Sequence, residues 1–411
     1  ADVTATGGEP RIVIVGAGHS GGRAAEALRA AGFAGPILML GAERYPPYER
    51  PPLSKELLAG SIEIEKTYIR PLAWYRENEI ELRMGVSATA LDTGARRVLI
   101  DGASQAYDRL LLATGARARR LRMPGGDSGF VHYIRDIADC LALRERLQPD
   151  ARIAVIGAGF IGLEVAAVAR TRGCVVTVIE VAPQPLGRVV APEIGAWFAR
   201  LHIDRGVEVR TGTAIEAMAD TGSTLRLRLS GGDAIEADLA VAGIGATPNT
   251  ELAEAAGLAV QDGIVVDAFG RTSDPAIFAA GDVTRHFNPI LGRHIRLEAW
   301  QNAQNQAIAV AKVMAGGNEP FAEVPWFWTD QYDVNLQVAG APESWDRLVW
   351  RGEPTARAFT LFYLKDGRVV AANTVNNARD MRFARMLIQS GKPVDAAGLA
   401  DPAVKLQDLT R

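Results

Sequence analysis

Two copies of the pattern Gly-x-Gly-x-x-Gly, each between an apolar strand and an apolar helix, constrain this fold more than any other feature. The first copy is Gly16-x-Gly18-x-x-Gly21, and apolar runs at 12–15 and 37–40 flank it. The first glycine permits a tight turn, the second lets a pyrophosphate approach the backbone, and the third lets helix and strand pack closely. The helix N-terminus then offers N–H groups and a positive dipole end to the phosphates. The pattern predicts a βαβ dinucleotide-binding unit.

The second copy is Gly157-x-Gly159-x-x-Gly162, and it follows the apolar strand at 153–156. The next predicted strand, VVTVI, ends directly in Glu180. An acid at that place suits the ribose diol of NADH and repels the 2′-phosphate of NADPH. The second site is therefore predicted to select NADH.

The first unit has its nearest acid slightly later. Its second strand ends in Gly41, Ala42 follows, and Glu43 is the first carboxylate. We expect Glu43 to hold the adenosine ribose of the first dinucleotide. Two such sites in one chain favour one bound cofactor and one exchanging cofactor.

Composition limits the class of protein. The 411 residues are enough for two or three domains. The net charge of −3, from 45 basic and 48 acidic residues, indicates neither nucleic acid nor an anionic membrane as a partner. Residues 1–10 lack the basic and apolar regions of a secretory signal, and no apolar run is long enough to span a bilayer. With only two cysteines, we expect a cytoplasmic protein.

A third motif identifies a superfamily. The stretch TSDPAIFAAGD, 272–282, resembles the second FAD fingerprint of the two-dinucleotide-binding flavoproteins. The resemblance implies that FAD lies on the N-terminal unit, that NADH lies on the second unit, and that Asp282 binds the ribityl chain near the pyrophosphate. LLLATGA (110–116) and VAGIGATPN (241–249) resemble the superfamily's crossover segments. By the same resemblance, Thr114 and Gly115 in these segments are expected to bind FAD, and Gly243 is expected to bind NADH.

The resemblance implies an α/β fold like that of glutathione reductase, with two Rossmann-like domains and a C-terminal α+β domain. From Val324 onward the pattern changes to alternating strands, with Asp366-Gly367 as a hairpin turn and ARDMRFARMLIQSG as a helix. The expected boundaries are 9–116 with 246–323 for the FAD-binding domain, 117–245 for the NADH-binding domain, and 324–411 for the C-terminal domain.

Superfamily members that use thiols place a cysteine or a cysteine pair beside the flavin. The segment after the first unit, 42–60, contains no cysteine. Cys140 lies in a predicted helix and Cys174 opens a predicted strand, so both are interpreted as packing residues. No Cys/His cluster suits a metal. A thiol relay is therefore excluded, and electrons must pass directly from the flavin to an external acceptor.

YERPPLSKELLAG, in that same segment, resembles the RPPLSK motif of FAD-dependent NADH:ferredoxin reductases that serve cytochrome P450 and aromatic-ring dioxygenase systems. The resemblance continues through 157–167, 279–283, 298–311 and 324–333. It implies hydride transfer from NADH to FAD, followed by two single-electron transfers to a [2Fe–2S] ferredoxin that supplies a P450 or a ring-hydroxylating oxygenase.

The resemblance also implies catalytic residues. Lys55 is expected beside flavin N5, paired with Glu164 of the second glycine helix, and Arg50 is expected at the FAD. Glu164 is the only charged residue in FIGLEVAAVA. The alternative is that Glu164 belongs to a solvent-facing side of that helix.

Three further interpretations stay open at this stage. Trp300, at the start of a predicted helix aimed at the flavin, is either a core aromatic or a residue that flanks the flavin. The segment RHFNPILGRHIR is either a ferredoxin-docking patch or a solvated loop; its arginines are Arg285, Arg293 and Arg296. The stretch PWFWTDQY either covers the flavin's dimethylbenzene edge or belongs to the core.

Two other functions are compatible with the same architecture. One is a related reductase for rubredoxin, a quinone or a small radical. The other is a slow redox-sensing or interaction protein resembling apoptosis-inducing factor, for which a targeting sequence and long insertions would be expected.

Overall fold

The computed structural model describes residues 9–410; residues 1–8, on which the expectation about a secretory signal mainly rests, and Arg411 lie outside them. Two compact units share the chain. Unit 1 comprises 9–50, 65–117 and 247–325, and unit 2 comprises 51–64, 118–246 and 326–410. Within residues 9–410, no helix has the length and apolar character required to cross a membrane.

Unit 1 is built on a five-stranded parallel sheet. Its strands, from edge to edge, are β19 (Ile277–Ala279), β7 (Arg109–Leu112), β1 (Ile12–Val15), β2 (Ile37–Gly41) and β3 (Ile80–Met84). Its helices are α1 (His19–Ala30), α3 (Leu72–Glu77), α7 (Glu251–Ala255) and α8 (Trp300–Met314). Because successive strand residues point to opposite faces, Ile12 and Ile14 pack with α1 and α8, whereas Val13 and Val15 pack in a second core.

Smaller sheets complete unit 1. One is antiparallel, with β4 (Ala88–Asp92), β5 (Arg97–Ile100) and β6 (Ala103–Ala106). Another contains β18 (Ile264–Val266), β20 (Thr284–Asn288) and β21 (Arg293–Ile295). Thus the segment 285–296, for which a solvated loop was one interpretation, forms the antiparallel hairpin β20–β21. Two short strands, β8 (Ala116–Ala118) and β17 (Ala246–Pro248), pair where the chain leaves and re-enters the unit.

Unit 2 contains a second five-stranded parallel sheet. Its order is β12 (Glu208–Arg210), β11 (Val175–Ile179), β10 (Arg152–Ile156), β16 (Leu239–Ala242) and β9 (Val131–His132). An antiparallel sheet of β13 (Ile215–Asp220), β14 (Leu225–Leu229) and β15 (Ala234–Ala237) packs with it in one apolar core. The helices of this part are α2 (Glu56–Ala59), α4 (Ile137–Arg146), α5 (Phe160–Thr171) and α6 (Pro192–Asp204). The predicted pair of Rossmann-like sheets is confirmed.

The C-terminal part of unit 2 is a five-stranded antiparallel sheet. The order is β22 (Trp326–Gln331), β23 (Val334–Ala339), β26 (Arg368–Val375), β25 (Phe359–Lys365) and β24 (Arg347–Arg351). The predicted turn Asp366-Gly367 joins β25 to β26 with φ of 49° and 69°, as a two-residue hairpin requires. Helices α9 (Ala378–Ser390), α10 (Ala396–Ala400) and α11 (Leu406–Leu409) follow. This is the α+β arrangement expected from the sequence.

The units divide the chain differently from the domains expected from the sequence. Segment 51–64 lies inside the expected FAD-binding domain but packs in unit 2. The expected NADH-binding and C-terminal domains are both parts of unit 2. Segment 51–64 therefore places Lys55 in the same unit as α5.

Candidate active site

The first glycine motif forms an open loop at the N-terminus of α1. Gly16 has φ of 113°, and a Cβ there would collide with the Ala113 carbonyl oxygen; a Cβ on Gly21 would collide with the Gly16 carbonyl oxygen. Gly18 is different, because its nearest neighbour beyond the adjoining residues would be Arg50 Nη2, 3.7 Å from a Cβ. Protein packing thus explains two of the three glycines, while Gly18 leaves room for a ligand. No side chain among residues 9–410 caps the start of α1, so its N–H groups are available to phosphate.

The second motif repeats this geometry at α5. Gly157 has φ of 94° and a Cβ there would lie 2.5 Å from the Gly243 carbonyl oxygen, while a Cβ on Gly162 would collide with the Gly157 carbonyl oxygen. A Cβ on Gly159 would face open space, with its nearest contact 4.0 Å away, and no side chain in the described part of the chain caps the helix. Both loops therefore fit a pyrophosphate.

Glu180 lies over the second loop. Its Oε2 accepts a hydrogen bond from Ala158 N (2.7 Å), and its Oε1 accepts one from Ala182 N (2.8 Å). These bonds fix the carboxylate at the end of β11, beside the glycine turn, where a ribose diol could reach it.

Several predicted FAD ligands converge in unit 1. The Trp300 ring at the start of α8 meets the ring of His19, the first residue of α1, edge-on at 5.6 Å. A Cβ on Gly281 would collide with Ser20, so the residue that precedes Asp282 lies directly against the same end of α1. Trp300 is half-buried and is not part of the fully buried core.

Two buried polar atoms in this part of unit 1 lack a partner among the described residues, His19 Nε2 and Asn302 Oδ1. Burial lowers the pKa of His19 to about 4, and the Arg23 charge adds to this effect. Neutral, unpartnered polar atoms beside two helix N-termini fit a site that receives a polar ligand.

The other predicted FAD residues are held by the protein itself. Glu43 accepts from Arg50 Nη2 (2.9 Å) and from the Tyr48 hydroxyl (2.5 Å). Thr114 exchanges two 2.8 Å hydrogen bonds with Asn249, and Gly115 O accepts from Asn249 N at 2.9 Å. The Glu43 carboxylate is one-third exposed and can still accept from a ribose.

Glu164 lies in unit 2 with only 2 % of its surface exposed, so it does not belong to a solvent-facing side of α5. Its Oε2 accepts from Lys55 Nζ at 3.0 Å and from the Ser54 hydroxyl, and its Oε1 accepts from the Thr329 hydroxyl at 2.7 Å. The carboxylate therefore joins α5 to the segment 51–55 and to β22. A buried charge with one cation and two hydroxyl donors is compensated, as its burial requires.

Local backbone structure holds Lys55 in place. Residues Pro51–Ser54 form a turn of 3₁₀ helix whose Leu53 and Ser54 are buried, and Lys55 then caps α2. The fixed φ angles of Pro51 and Pro52 pre-organise that turn. The ammonium group is thus brought to Glu164 by a rigid segment.

Neither cysteine lies in surroundings that would activate its thiol. Cys140 and Cys174 are both buried free thiols. Burial raises the pKa of Cys140 to about 11 and raises that of Cys174. Over the described part of the chain, no cluster of His, Cys, Asp and Glu could hold a metal ion.

The three arginines of the proposed docking segment differ in the structure. Arg296 pairs with Glu298 and with Asp262 (3.3 Å), and its side chain is 15 % exposed. Arg285 and Arg293 lie on β20 and β21 and are half-buried. Arg296 therefore contributes little net charge to a docking surface.

Sequence reasoning missed two residues that contact Glu164. Ser54 stands in the motif that singled out Lys55, and Thr329 stands in the aromatic stretch of β22. No spacing relates positions 54, 164 and 329, so only tertiary packing reveals them. Tyr48, between Glu43 and Arg50, was missed for the same reason.

Comparison with known proteins agrees with this geometry. Residues 10–307 match the pyridine nucleotide-disulphide oxidoreductase family, and residues 326–410 match the reductase C-terminal family. The chain is 48% identical over 401 residues to the ferredoxin–NAD(+) reductase component of an anthranilate 1,2-dioxygenase system of Burkholderia cepacia, covering 96% of this chain and 98% of that protein.

Solved structures are also similar over nearly the whole chain. A chain of the covalent putidaredoxin reductase–putidaredoxin complex has a TM-score of 0.94 at 38% identity, with 97% of this chain and 98% of that chain covered. The ferredoxin reductase for the CYP199A2 system of Rhodopseudomonas palustris has a TM-score of 0.95 at 37% identity, with 98% and 100% covered. The resemblance inferred from the sequence is confirmed. The chain belongs to the pyridine nucleotide-disulphide oxidoreductase family, with a reductase C-terminal domain at its end.

Proposed function

We propose that the protein is an FAD-dependent NADH:ferredoxin reductase that supplies electrons to an oxygenase. The observation that carries this proposal is that the chain belongs to a disulphide oxidoreductase family but has no reactive thiol. Both cysteines are buried, with raised pKa values, and the segment after the first βαβ unit carries Lys55 instead of a cysteine. Electrons must then leave for an external acceptor, and relatives named ferredoxin reductases make a ferredoxin the best candidate.

The two glycine loops divide the cofactors. FAD would be held in unit 1 by the loop at Gly18, by Asp282 and by the surroundings of Trp300; NADH would be held in unit 2 by the loop at Gly159 and by Glu180. Bound FAD supplies the chemistry, because a flavin accepts a hydride from NADH and releases electrons singly. The protein binds, orients and shields these groups.

Lys55 and Glu164 are proposed as the catalytic pair. The Lys55 side chain is only 12 % exposed and its ammonium group lies 3.0 Å from the carboxylate, so it is a fixed positive charge that water screens weakly. Such a charge stabilises the negative charge that hydride transfer brings to a flavin. Hydrogen bonds from the hydroxyls of Ser54 and Thr329 fix the orientation of the Glu164 carboxylate.

An acidic ferredoxin requires a basic docking surface. Arg285 and Arg293 remain candidates for it. A second candidate is a groove of about 350 Å³ in unit 2 between β22 and α9, lined by Trp326, Arg382 and Arg385 among others. Cationic and aromatic side chains occur together there, as in many protein interfaces. One variant reverses the charge at Arg293, and another reverses the charges at Arg382 and Arg385. Only the variant that changes the true docking surface should lose ferredoxin-dependent activity, and both should still reduce ferricyanide at the wild-type rate.

The central test uses the purified yellow protein. NADH should support rapid ferricyanide reduction and NADPH should not, because Glu180 repels a 2′-phosphate. Cytochrome c reduction should require an added [2Fe–2S] ferredoxin and should weaken at high salt. Cytochrome c reduction that is fast without any ferredoxin would rule out this acceptor class. We also propose the cytoplasm as the working compartment, since both cysteines are free thiols.

A further inference from the structure

Glu164 is the end of a longer line of hydrogen-bonded side chains within unit 2. The Thr329 hydroxyl, which donates to Glu164, accepts from Gln331 Nε2 at 3.3 Å. Gln331 Oε1 lies 2.8 Å from His202 Nε2, and the Tyr332 hydroxyl lies 3.2 Å from His202 Nδ1. The line thus runs from the turn after β22, through the last turn of α6, to the carboxylate on α5.

Because these side chains are buried, their polar groups rely on one another for hydrogen bonds. Thr329 and Gln331 are two residues apart on β22, so they share a face of the sheet, and both are fully buried. His202 is also fully buried. Polar atoms at such positions are satisfied by neighbouring side chains, because bulk water does not reach them.

The chemistry of the groups fixes the direction of every bond. A carboxylate accepts only, so the Thr329 hydroxyl donates to it and its oxygen accepts from the Gln331 amide group. Gln331 Oε1 also accepts only, so His202 carries its proton on Nε2 and leaves Nδ1 to accept from Tyr332. All donors therefore point toward Glu164. Aligned hydrogen bonds polarise one another and favour negative charge at the accepting end.

We infer that Thr329, Gln331 and His202 are positioning residues for hydride transfer from NADH to FAD, an inference that rests on the proposed function. They hold the Glu164 carboxylate in one orientation, which gives the Lys55 ammonium group one fixed place. Lysine needs such a partner because its ammonium is a point charge on a flexible stem. The β22 strand of the C-terminal sheet thereby takes part in the hydride-transfer step.

Removal of one hydroxyl tests the inference. Thr329→Val deletes the donor to Glu164 with little change in volume, and Thr329→Ser keeps it. Thr374→Val is a matched control, because Thr374 is equally buried in the same antiparallel sheet and its hydroxyl has no hydrogen-bond partner in the described chain. The measurement is stopped-flow bleaching of the flavin by NADH in the holoenzyme.

At saturating NADH we expect Thr329→Val to slow bleaching about tenfold, the scale of one lost hydrogen bond to a charge. The dissociation constant for NADH should change less than about twofold, because this residue acts through Glu164 and not on the nucleotide. Thr329→Ser and Thr374→Val should resemble the wild type. Equal rates for the two valine variants would overturn the inference.

A second readout needs no variant and no turnover. In ¹⁵N-histidine NMR spectra of the oxidised holoenzyme at pH 7, His202 should be the neutral Nε2–H tautomer. A cationic ring or an Nδ1–H tautomer would overturn the inference. If Thr329→Val does not fold, Gln331→Met interrupts the same line one residue later and should slow bleaching at least threefold. Wild-type flavin that NADH does not bleach would instead refute the proposed function, whereas absence of ferredoxin reduction would refute only its acceptor.

Discussion

Glu164 receives donors from positions 54, 55 and 329, which are more than a hundred residues away in either direction. A carboxylate among the apolar residues of a helix can be recognised from the sequence, because its burial costs free energy that a partner must offset. The family resemblance supplied Lys55 as that partner. The two hydroxyls could not be predicted, since a serine and a threonine in separate segments carry no periodic signal.

Breaking this pair from one side should destabilise the protein strongly. Lys55→Met leaves a buried carboxylate with only hydroxyl donors, and we expect a loss of about 3 kcal/mol in the free energy of unfolding. Glu164→Gln instead leaves the ammonium unpaired. The double variant should lose less stability than the sum of the two single losses, by about 1–3 kcal/mol, because each single change removes the same interaction. Denaturant titration of all four proteins measures this coupling, and additive losses would contradict it.

At the scale of elements, the two glycine loops are alike in detail. In each, the first and third glycines are required by contacts within the protein, and the second faces open space. The strands and helices around them were predictable, because apolar runs and glycine spacing reflect local backbone geometry. The hairpin β20–β21 was not, because the arginines and histidines of 285–296 conceal the alternation that strands usually show.

This difference between the glycines predicts two separate effects. Gly159→Ala has space for its methyl group and a φ of −79°, so the protein should fold with its full content of FAD while the KM for NADH rises at least tenfold. Gly162→Ala should lower the midpoint of thermal unfolding, because its Cβ collides with the Gly157 carbonyl oxygen. Flavin absorbance, steady-state kinetics and thermal unfolding, measured for both variants, distinguish obstruction of the nucleotide site from disruption of protein packing. Unchanged NADH kinetics in Gly159→Ala would contradict the proposed phosphate site.

The molecule as a whole should be sensitive to acid. Burial lowers the pKa of four histidines, two in each unit, namely His19, His132, His202 and His286. For His286 the value is about 4, and neither of its ring nitrogens has a hydrogen-bond partner among the described residues. The unfolded chain then takes up protons first as the pH falls, so stability present above pH 6.5 is lost between about pH 6.5 and 4.

Replacement of His286 should reduce that sensitivity. From the two pKa values, protonation of this residue costs about 1 kcal/mol of stability between pH 7.5 and 5.5. His286→Leu removes the titrating group from a buried position beside Phe321. Thermal unfolding at both pH values should therefore show a smaller loss for the variant than for the wild type. Equal losses would mean that His286 is not neutral in the folded protein.

The chain passes from one unit to the other after Arg50, Ile64, Arg117, Ala246 and Pro325. The last of these junctions looks like a convenient place to exchange the C-terminal part between relatives, because the family matches end and begin around it. Yet β22 begins at Trp326 and brings Thr329 to the carboxylate of α5. A chimaera joined after residue 325 will therefore take a residue that hydrogen-bonds to Glu164 from the incoming sequence. Donors with a hydroxyl side chain at position 329 should give reductases that work, and donors without one should give proteins that bind both nucleotides but exchange hydride slowly.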